Sequence, residues 1–333
     1  APHPLRRVAA ATLPWLIDLD PAQLDWSVQE RLVSRWFRGA ADYRGGLAEL
    51  RAHILQRFKS QAGDVKPNLR VAELHISRGK VTGLSLLGKR ERYGCEHLLL
   101  ACDPRALLLG AGGGASSRAG ESGVLPTGAL PEATLAALDA VTTVGYRYVL
   151  ALALAPDGLS PALDGVVVHV PEDSDCFGAS YLRLAPSKDP RALRLLTITH
   201  VLPAGAELER ARERVLDGLD RAGVLPFVRP HVHAMLSPHD GLGVTDGLGR
   251  AHGRAPPPVG RWPMAPLYAH ARADAPLGVG LLPHSSGLRN MYFASRMTLP
   301  GLGLEGQFAA GLTAASLVAP APAQGKTRRL FRR

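Results

Sequence analysis

Cysteine is nearly absent from this 333-residue chain: Cys95, Cys102 and Cys176 are the only three. They are scattered and form no CxxC pair, which excludes a disulfide framework and makes a reducing cytoplasm the expected home. Aromatic residues are also scarce, at 5%. They form no stripe with basic residues, so nucleic acid is not an expected partner. No apolar run reaches the roughly 20 residues needed to span a bilayer. The opening residues, APHPLRRVAAATLPW, show no signal-peptide pattern. A start at Ala1 rather than Met points to a processed, tagged or excised terminus.

Acids are fewer than bases, 29 against 39, for a formal net charge of +10. Five of the positive charges crowd into the last eight residues, KTRRLFRR, behind an Ala-Pro run at Ala319–Ala323. This end has the pattern of a solvated tail on a linker. Its sharper reading is a weak peripheral contact with an anionic membrane surface or a partner. What the chain has in quantity is apolar residues, 46%, with 36 glycines and 27 prolines. That composition buries a sizeable core in one large or two modest domains and predicts many turns.

Apolar positions Leu16, Leu24, Val28, Leu32 and Trp36 recur at helical spacing, and Asp20-Pro21 supplies a cap and a first-turn proline, so a helix is expected to start there. After Gly45-Gly46, the stripe Leu47, Leu50, Ile54, Leu55 and Phe58 predicts a second helix. NLRVAELHI (Asn68–Ile76) and KVTGLSLLG (Lys80–Gly88) flank the hairpin signal Ser77-Arg78-Gly79. The continuous apolar run Leu98–Cys102 predicts a parallel strand buried on both faces, ended by Asp103-Pro104. Gly110–Gly123 formally matches G-x-G-x-x-A, but no good helix former follows, so it is assigned to a loop. Four strand-like runs between Tyr146 and Pro203 predict an antiparallel sheet, followed by a helix over Glu207–Ala222 and a strand in FVRPHVHAML. Gly241–Gly260 is expected to be loop, WPMAPLYAHARADAPLG irregular, and RNMYFASR the last strand.

The segment TLPGLGLEGQFAAGLTAASLVA, Thr298–Ala319, follows that strand. Ala294 and Ser295 end the strand with small side chains, so a flat ligand fits against the backbone. Gly301, Gly303 and Gly306 permit tight turning and close approach. The helix beyond them turns unpaired N–H groups and a positive dipole end toward the corner, which suits negative charge. Leu304, Phe308, Leu312 and Ala315 form its expected packing face, while Ala309, Ala310, Gly311 and Ala314 keep it slim. The plain alternative is a glycine-rich turn before an ordinary packing helix.

NMYFASRMTLPGLGLEGQFAAGLTAASLVA resembles the C-terminal FAD-binding segment of the flavin amine oxidase and phytoene desaturase-like oxidoreductases, with its PG-x-G-[LI]-x-G loop. The block from DYRGGLAELRAHILQRF through CEHLLLACDP is similar to that family's GG-helix, β-meander and following strand. The resemblance implies an α/β (α+β) fold with an antiparallel-sheet substrate domain and part of an FAD-binding domain. It divides the chain into a helical segment of the substrate domain (1–44), FAD-domain part (45–128), substrate domain (129–285), FAD-domain strand and helix (286–320) and basic tail (321–333). It implies FAD contacts at Ser295, Arg296, Pro300, Gly301, Gly303, Leu304, Glu305 and Gly306, and a backbone contact from Val71 toward the adenine end.

Two features depart from the family. Its members begin with a Rossmann βαβ unit carrying G-x-G-x-x-G and a downstream acid, and nothing upstream of Gly45 matches. Many relatives also carry an acid where this chain has Ser295-Arg296. The chain therefore resembles the C-terminal two-thirds of such an enzyme, with the N-terminal part removed, lost, or supplied by a second chain. The function implied is FAD-dependent hydride removal from an apolar or amine substrate, walled by the strands between Tyr146 and Pro203, with no catalytic acid or base named. The rival is a non-catalytic, partner-binding subunit. His231, His233, His239 and His252 lack an accompanying acid or Cys at ligand spacing, so no metal is expected.

Overall fold

At Ser77-Arg78-Gly79 the chain reverses within two residues. Arg78 has φ +51° and Gly79 φ +72°, the pair of left-handed residues that a type I′ hairpin turn requires. The computed structural model describes residues 8–39, 43, 45–67, 69–105, 124–125, 128–163, 165–171, 177–187, 189, 191–252, 264–270 and 278–319. The loop expected at Gly110–Gly123, Cys176 and the basic tail lie outside the described residues. The helices are α1 (Leu13–Leu16), α2 (Trp26–Phe37), α3 (Gly46–Ser60), α4 (Glu132–Asp139), α5 (Ala211–Arg221) and α6 (Gly303–Val318). The strands before residue 200 begin with β1 (Val71–Ser77), β2 (Lys80–Leu86), β3 (Arg92–Gly94) and β4 (Leu98–Leu100). They continue with β5 (Val141–Leu154), β6 (Val166–His169), β7 (Ser180–Leu184) and β8 (Arg194–Pro203). The remainder are β9 (Val232–Leu236), β10 (Val244–Thr245), β11 (Ala251–His252), β12 (Ala265–His270) and β13 (Met291–Phe293).

The fold is mixed helix and sheet, and the chain divides into two compact units. The first comprises Ala1–Val33, Val141–Val279 and Gly301–Gly303; the second comprises Ser34–Ala140, Gly280–Pro300 and Leu304–Arg333.

The first unit is built on one antiparallel sheet in the order β11-β10-β9-β5-β8-β7-β6. Alternate residues of the central strands face one side: Leu150, Leu152 and Leu154 from β5, Leu196 and Ile198 from β8, Leu182 from β7. They form a core with Val215, Leu216 and Leu219 of α5, whose 3.6-residue period lays those three on one stripe. β5 has 14 residues, and one of its edges serves two partners: β12 pairs with Val141–Arg147 and β9 with Ala151–Leu154. β12 corrects the expectation of irregular chain there. Its residues Leu267, Tyr268 and Ala269 are buried, and the long exposed edge of β5 recruits them despite Pro266. The helix expected from Asp20-Pro21 is also corrected. Asp20 does cap, accepting a hydrogen bond from the Ala22 N–H, but the turn it caps is a 3-10 segment, Pro21–Gln23, and the helix α2 begins at Trp26. The reason is Leu19, which bridges β12 and holds the chain extended just before the cap.

The second unit holds the antiparallel meander β1-β2-β3 and a pair, β4 and β13, that runs parallel. The parallel direction agrees with the sequence reading of Leu98–Cys102. The expected burial on both faces does not hold, because Leu99 is 39% exposed. Asn290, buried just before β13, ties three segments together. Its Oδ1 accepts from the Val81 N–H at 2.8 Å, and its Nδ2 donates to the carbonyls of Val81 (2.8 Å) and Glu96 (2.6 Å). Asn290→Ala takes the partner from two buried backbone groups of Val81 and from the part-buried Glu96 carbonyl, and is expected to cost about 2–4 kcal/mol. Faster amide exchange at Val81, measured by mass spectrometry, reads the loss; unchanged exchange refutes it.

Helix α6 packs differently from its sequence pattern. Its buried stripe is Gly306, Ala310 and Ala314, the small residues. Leu304, Phe308 and Leu312, expected to pack inward, point to solvent. A slim face lets a helix approach its neighbour more closely than a bulky one, and here the slim face wins. Among the described residues, no helix is long and apolar enough to cross a membrane.

Candidate functional site

β13 ends at Phe293, and the chain continues through Ala294 and Ser295, a 3-10 turn at Pro300–Leu302, and the start of α6 at Gly303. Within the second unit the Leu281 N–H donates to the Thr298 carbonyl. Within the first, the Gly301 N–H donates to the Val279 carbonyl at 2.8 Å. Ser295 is buried, and its Oγ accepts from the Met297 N–H at 3.3 Å.

The glycines are explained by the chain's own packing. A Cβ on Gly301 meets Val279 at 2.7 Å, and one on Gly303, where φ is +55°, meets the Leu16 carbonyl oxygen at 2.0 Å. The space these residues leave is therefore filled by Val279 and Leu16. The sequence motif alone could not distinguish that from room for a ligand.

Glu305, in the first turn of α6, is held by a bidentate ion pair: the Arg35 guanidinium donates to both carboxylate oxygens at 2.7 and 2.9 Å. The pair is exposed on both sides, so its net stabilisation is small. Its electrostatic effect on the corner is larger in kind, because a bare carboxylate there would repel an anion from the helix N-terminus. Thr298 offers a polar handle that the sequence reading passed over. Its side chain is buried, at 1% exposure, and its Oγ1 has no hydrogen-bond partner among the described residues. An orphaned buried hydroxyl is uncommon and calls for a partner. The signal for Thr298 lay in plain view at the head of TLPG. Arg35 gave none, since its partner is 270 residues away.

Thus Ser295, Arg296, Pro300, Gly301, Gly303, Leu304, Glu305 and Gly306 follow one another along the strand end, turn and first helical turn. Val71 stands elsewhere in the second unit, as the half-buried first residue of β1, opposite Leu86.

The first unit contains a second polar assembly. Neighbouring strands bring His169, Ser180, His200 and Tyr148 into one cross-strand row. Ser180 Oγ and His200 Nδ1 share a hydrogen bond of 2.8 Å. Tyr148 donates its hydroxyl to Asp240 at 2.7 Å. Arg212 then grips both oxygens of Asp240 at 3.0 Å, and also donates to Thr245 Oγ1 and the Gly243 carbonyl. Burial first, then the neighbouring His169, lowers the pKa of His200 to about 4. Burial also lowers His169 and holds the Tyr148 phenol above its ordinary range. This row is neutral or internally paired, which suits structural support of the sheet.

His231 lies in a 3-10 turn and His233 in β9, which begins at Val232. Among the described residues, no group of three or more His, Cys, Asp or Glu side chains is placed to hold a metal.

Comparison with known proteins rests on structure. No protein-family model matches the chain, and no curated protein matches it. Solved structures do. An oxidoreductase from Methanosarcina mazei superposes with a TM-score of 0.50 at 15% identity, covering 92% of this chain and 64% of its own. A cyclohexylamine oxidase from Brevibacterium oxydans has a TM-score of 0.48 at 15% identity, covering 96% of this chain and 66% of its own. A glycine oxidase from Bacillus cereus has a TM-score of 0.36 at 13% identity, covering 78% and 52%. The chain thus spans less than two thirds of the length of each, and it shares the fold of the Methanosarcina mazei oxidoreductase.

Proposed function

We propose that this chain is part of a FAD-dependent oxidoreductase that removes a hydride from an apolar or amine substrate. The observation that carries the reading is the corner itself: a parallel strand, β13, leading through small residues and a tight turn into the N-terminus of a slim helix. The same fold in a known oxidoreductase is consistent with it.

The residues present fit one end of the cofactor. The α6 N-terminus favours negative charge, as on a reduced flavin ring. The orphaned Thr298 hydroxyl is free to pair with a polar edge, and Arg35 neutralises the Glu305 carboxylate in the first turn of α6. Bound there, the flavin would accept the hydride. Ser295, Arg296, Pro300, Leu304 and Gly306 would hold it, Gly301 and Gly303 would shape the turn, and Val71 would serve the adenine end. The described residues include no glycine-rich strand–helix turn to cradle the pyrophosphate.

That asymmetry makes a measurable prediction. The purified chain should quench the fluorescence of FAD and of lumiflavin, which lacks the pyrophosphate, with affinities within about tenfold of each other. Quenching of neither flavin by the folded chain overturns the reading. A second reading, a non-catalytic subunit of the same fold, is favoured by the outward-facing apolar helices and predicts that result.

A further inference from the structure

Three polar residues of the β1-β2-β3 meander lie outside the flavin corner and share one place. β1 and β2 pair with Glu73 opposite Ser85 and His75 opposite Gly83. The two-residue period of a strand sets Glu73, His75 and Ser85 on one face, while Leu74 is buried on the other. Register shifts in β1 fall on either side of this stretch, between Val71 and Glu73 and between His75 and Ile76. A bulge re-aims the side chains beside it, and natural sheets place bulges next to sites of chemistry.

His75 Nε2 is 2.7 Å from Ser85 Oγ. Its other ring nitrogen, Nδ1, faces Glu73 Oε1 at 3.9 Å. With the ring proton on Nδ1, Nε2 accepts from the Ser85 hydroxyl, and the protonated side of the ring turns toward the carboxylate. Hydroxyl, imidazole and carboxylate thus stand in the order of a nucleophile, its base and the group that orients the base. The 3.9 Å separation is an ion-pair distance, and such contacts tighten when the ring takes on charge during reaction. The site is open to a reagent, because the His75 side chain is 21% exposed and that of Glu73 60%. Gly83 and Gly94, paired beside His75, carry no side chain to cover the ring. Arg92 stands opposite Ser85 on β3, exposed and held by a long hydrogen bond of 3.5 Å to Thr82 Oγ1. It brings positive charge to the side of Ser85 where an oxyanion would form.

We propose that Ser85, His75 and Glu73 form an acyl-transfer site for small esters with a good leaving group. Ser85 Oγ attacks the acyl carbon as its proton passes to His75 Nε2. The bond from that carbon to the leaving oxygen breaks, and His75 returns the proton to the departing group. Water then attacks the acyl group along the same path, which releases a carboxylic acid and restores the Ser85 hydroxyl. Nothing is oxidised or reduced. Glu73 is a positioning residue: it holds the imidazole and favours the imidazolium formed in each half of the reaction. The site stands apart from the flavin corner, so neither outcome of the flavin titration bears on it.

The probe is p-nitrophenyl acetate. The full chain is mixed with it near neutral pH, quenched in acid at intervals, and mapped by peptide mass spectrometry. Ser85 should gain an acetyl group at least about 100-fold faster than Ser77, an exposed serine at the end of β1. His75→Gln keeps a polar partner for Ser85 but removes the base, and should slow acetylation of Ser85 by about 100-fold or more. Glu73→Gln should slow it less and move the midpoint of its rise with pH to lower pH, since no carboxylate then holds a proton on the ring. A purely structural contact leaves that midpoint in place. The Ser85-to-Ser77 ratio in the parent chain decides the proposal even where a variant loosens the meander. Acetylation confined to other side chains, a Ser85 rate no greater than that of Ser77, or an equal rate in a folded His75→Gln variant overturns it.

Discussion

Asp240→Ala is expected to destabilise the first unit by about 3–5 kcal/mol, because it strands a buried charge. Arg212 is 1% exposed, and its guanidinium is ion-paired with Asp240. The substitution also removes the acceptor of the buried Tyr148 hydroxyl. Much of the loss is the cost of leaving a guanidinium dry and unpaired, rather than the net worth of the pair. The double variant Arg212→Met/Asp240→Leu removes both charges and should recover most of the deficit. Amide exchange of β5 and β8 gives the comparison directly. A single variant as stable as the parent, or a double variant no better than the single, contradicts the argument.

Acid should weaken the same unit through His200, on the order of 3 kcal/mol between pH 6.5 and pH 4. Its folded pKa, about 4, lies below the unfolded value of 6.5. Between these values the unfolded chain binds a proton that the folded chain refuses, so stability is fully present above pH 6.5 and falls as pH drops toward 4. The causes are burial and the neighbouring His169; the cross-strand partners of His200, Ser180 and Tyr148, carry no charge. His169, lowered by burial, adds in the same direction. His200→Gln keeps a polar group opposite Ser180 and removes the titration. Its stability difference from the parent should therefore shrink as pH falls from 7 to 4 in urea unfolding. A difference independent of pH removes His200 from the account.

Local chemistry was legible in the sequence. The Arg78-Gly79 turn, the alternation in β5, β7 and β8, and the helix after Gly45 need only near neighbours to form. Long-range partners were not. β12 carries Pro266 and only six residues, and exists because β5 offers an edge that no local pattern reveals. Arg35 and Glu305 look like ordinary surface charges until the fold joins them. For α6, the usual rule that bulk goes inward pointed to Leu304, Phe308 and Leu312, while the structure buries glycine and alanine. The corner glycines illustrate the same limit. Sequence shows that a side chain is excluded at Gly303, and only the structure shows that a carbonyl of Leu16 excludes it.

The shared edge of β5 also has a consequence in time. On the ribosome β5 emerges well before either strand that will lie along that edge: β9 starts at Val232 and β12 at Ala265. At about 5–20 residues per second, the β12 half stays open for on the order of ten seconds. During that interval a long apolar strand edge is available to any other nascent chain. Slow translation or crowded polysomes should therefore lower the yield of folded protein more than they lower its stability once made.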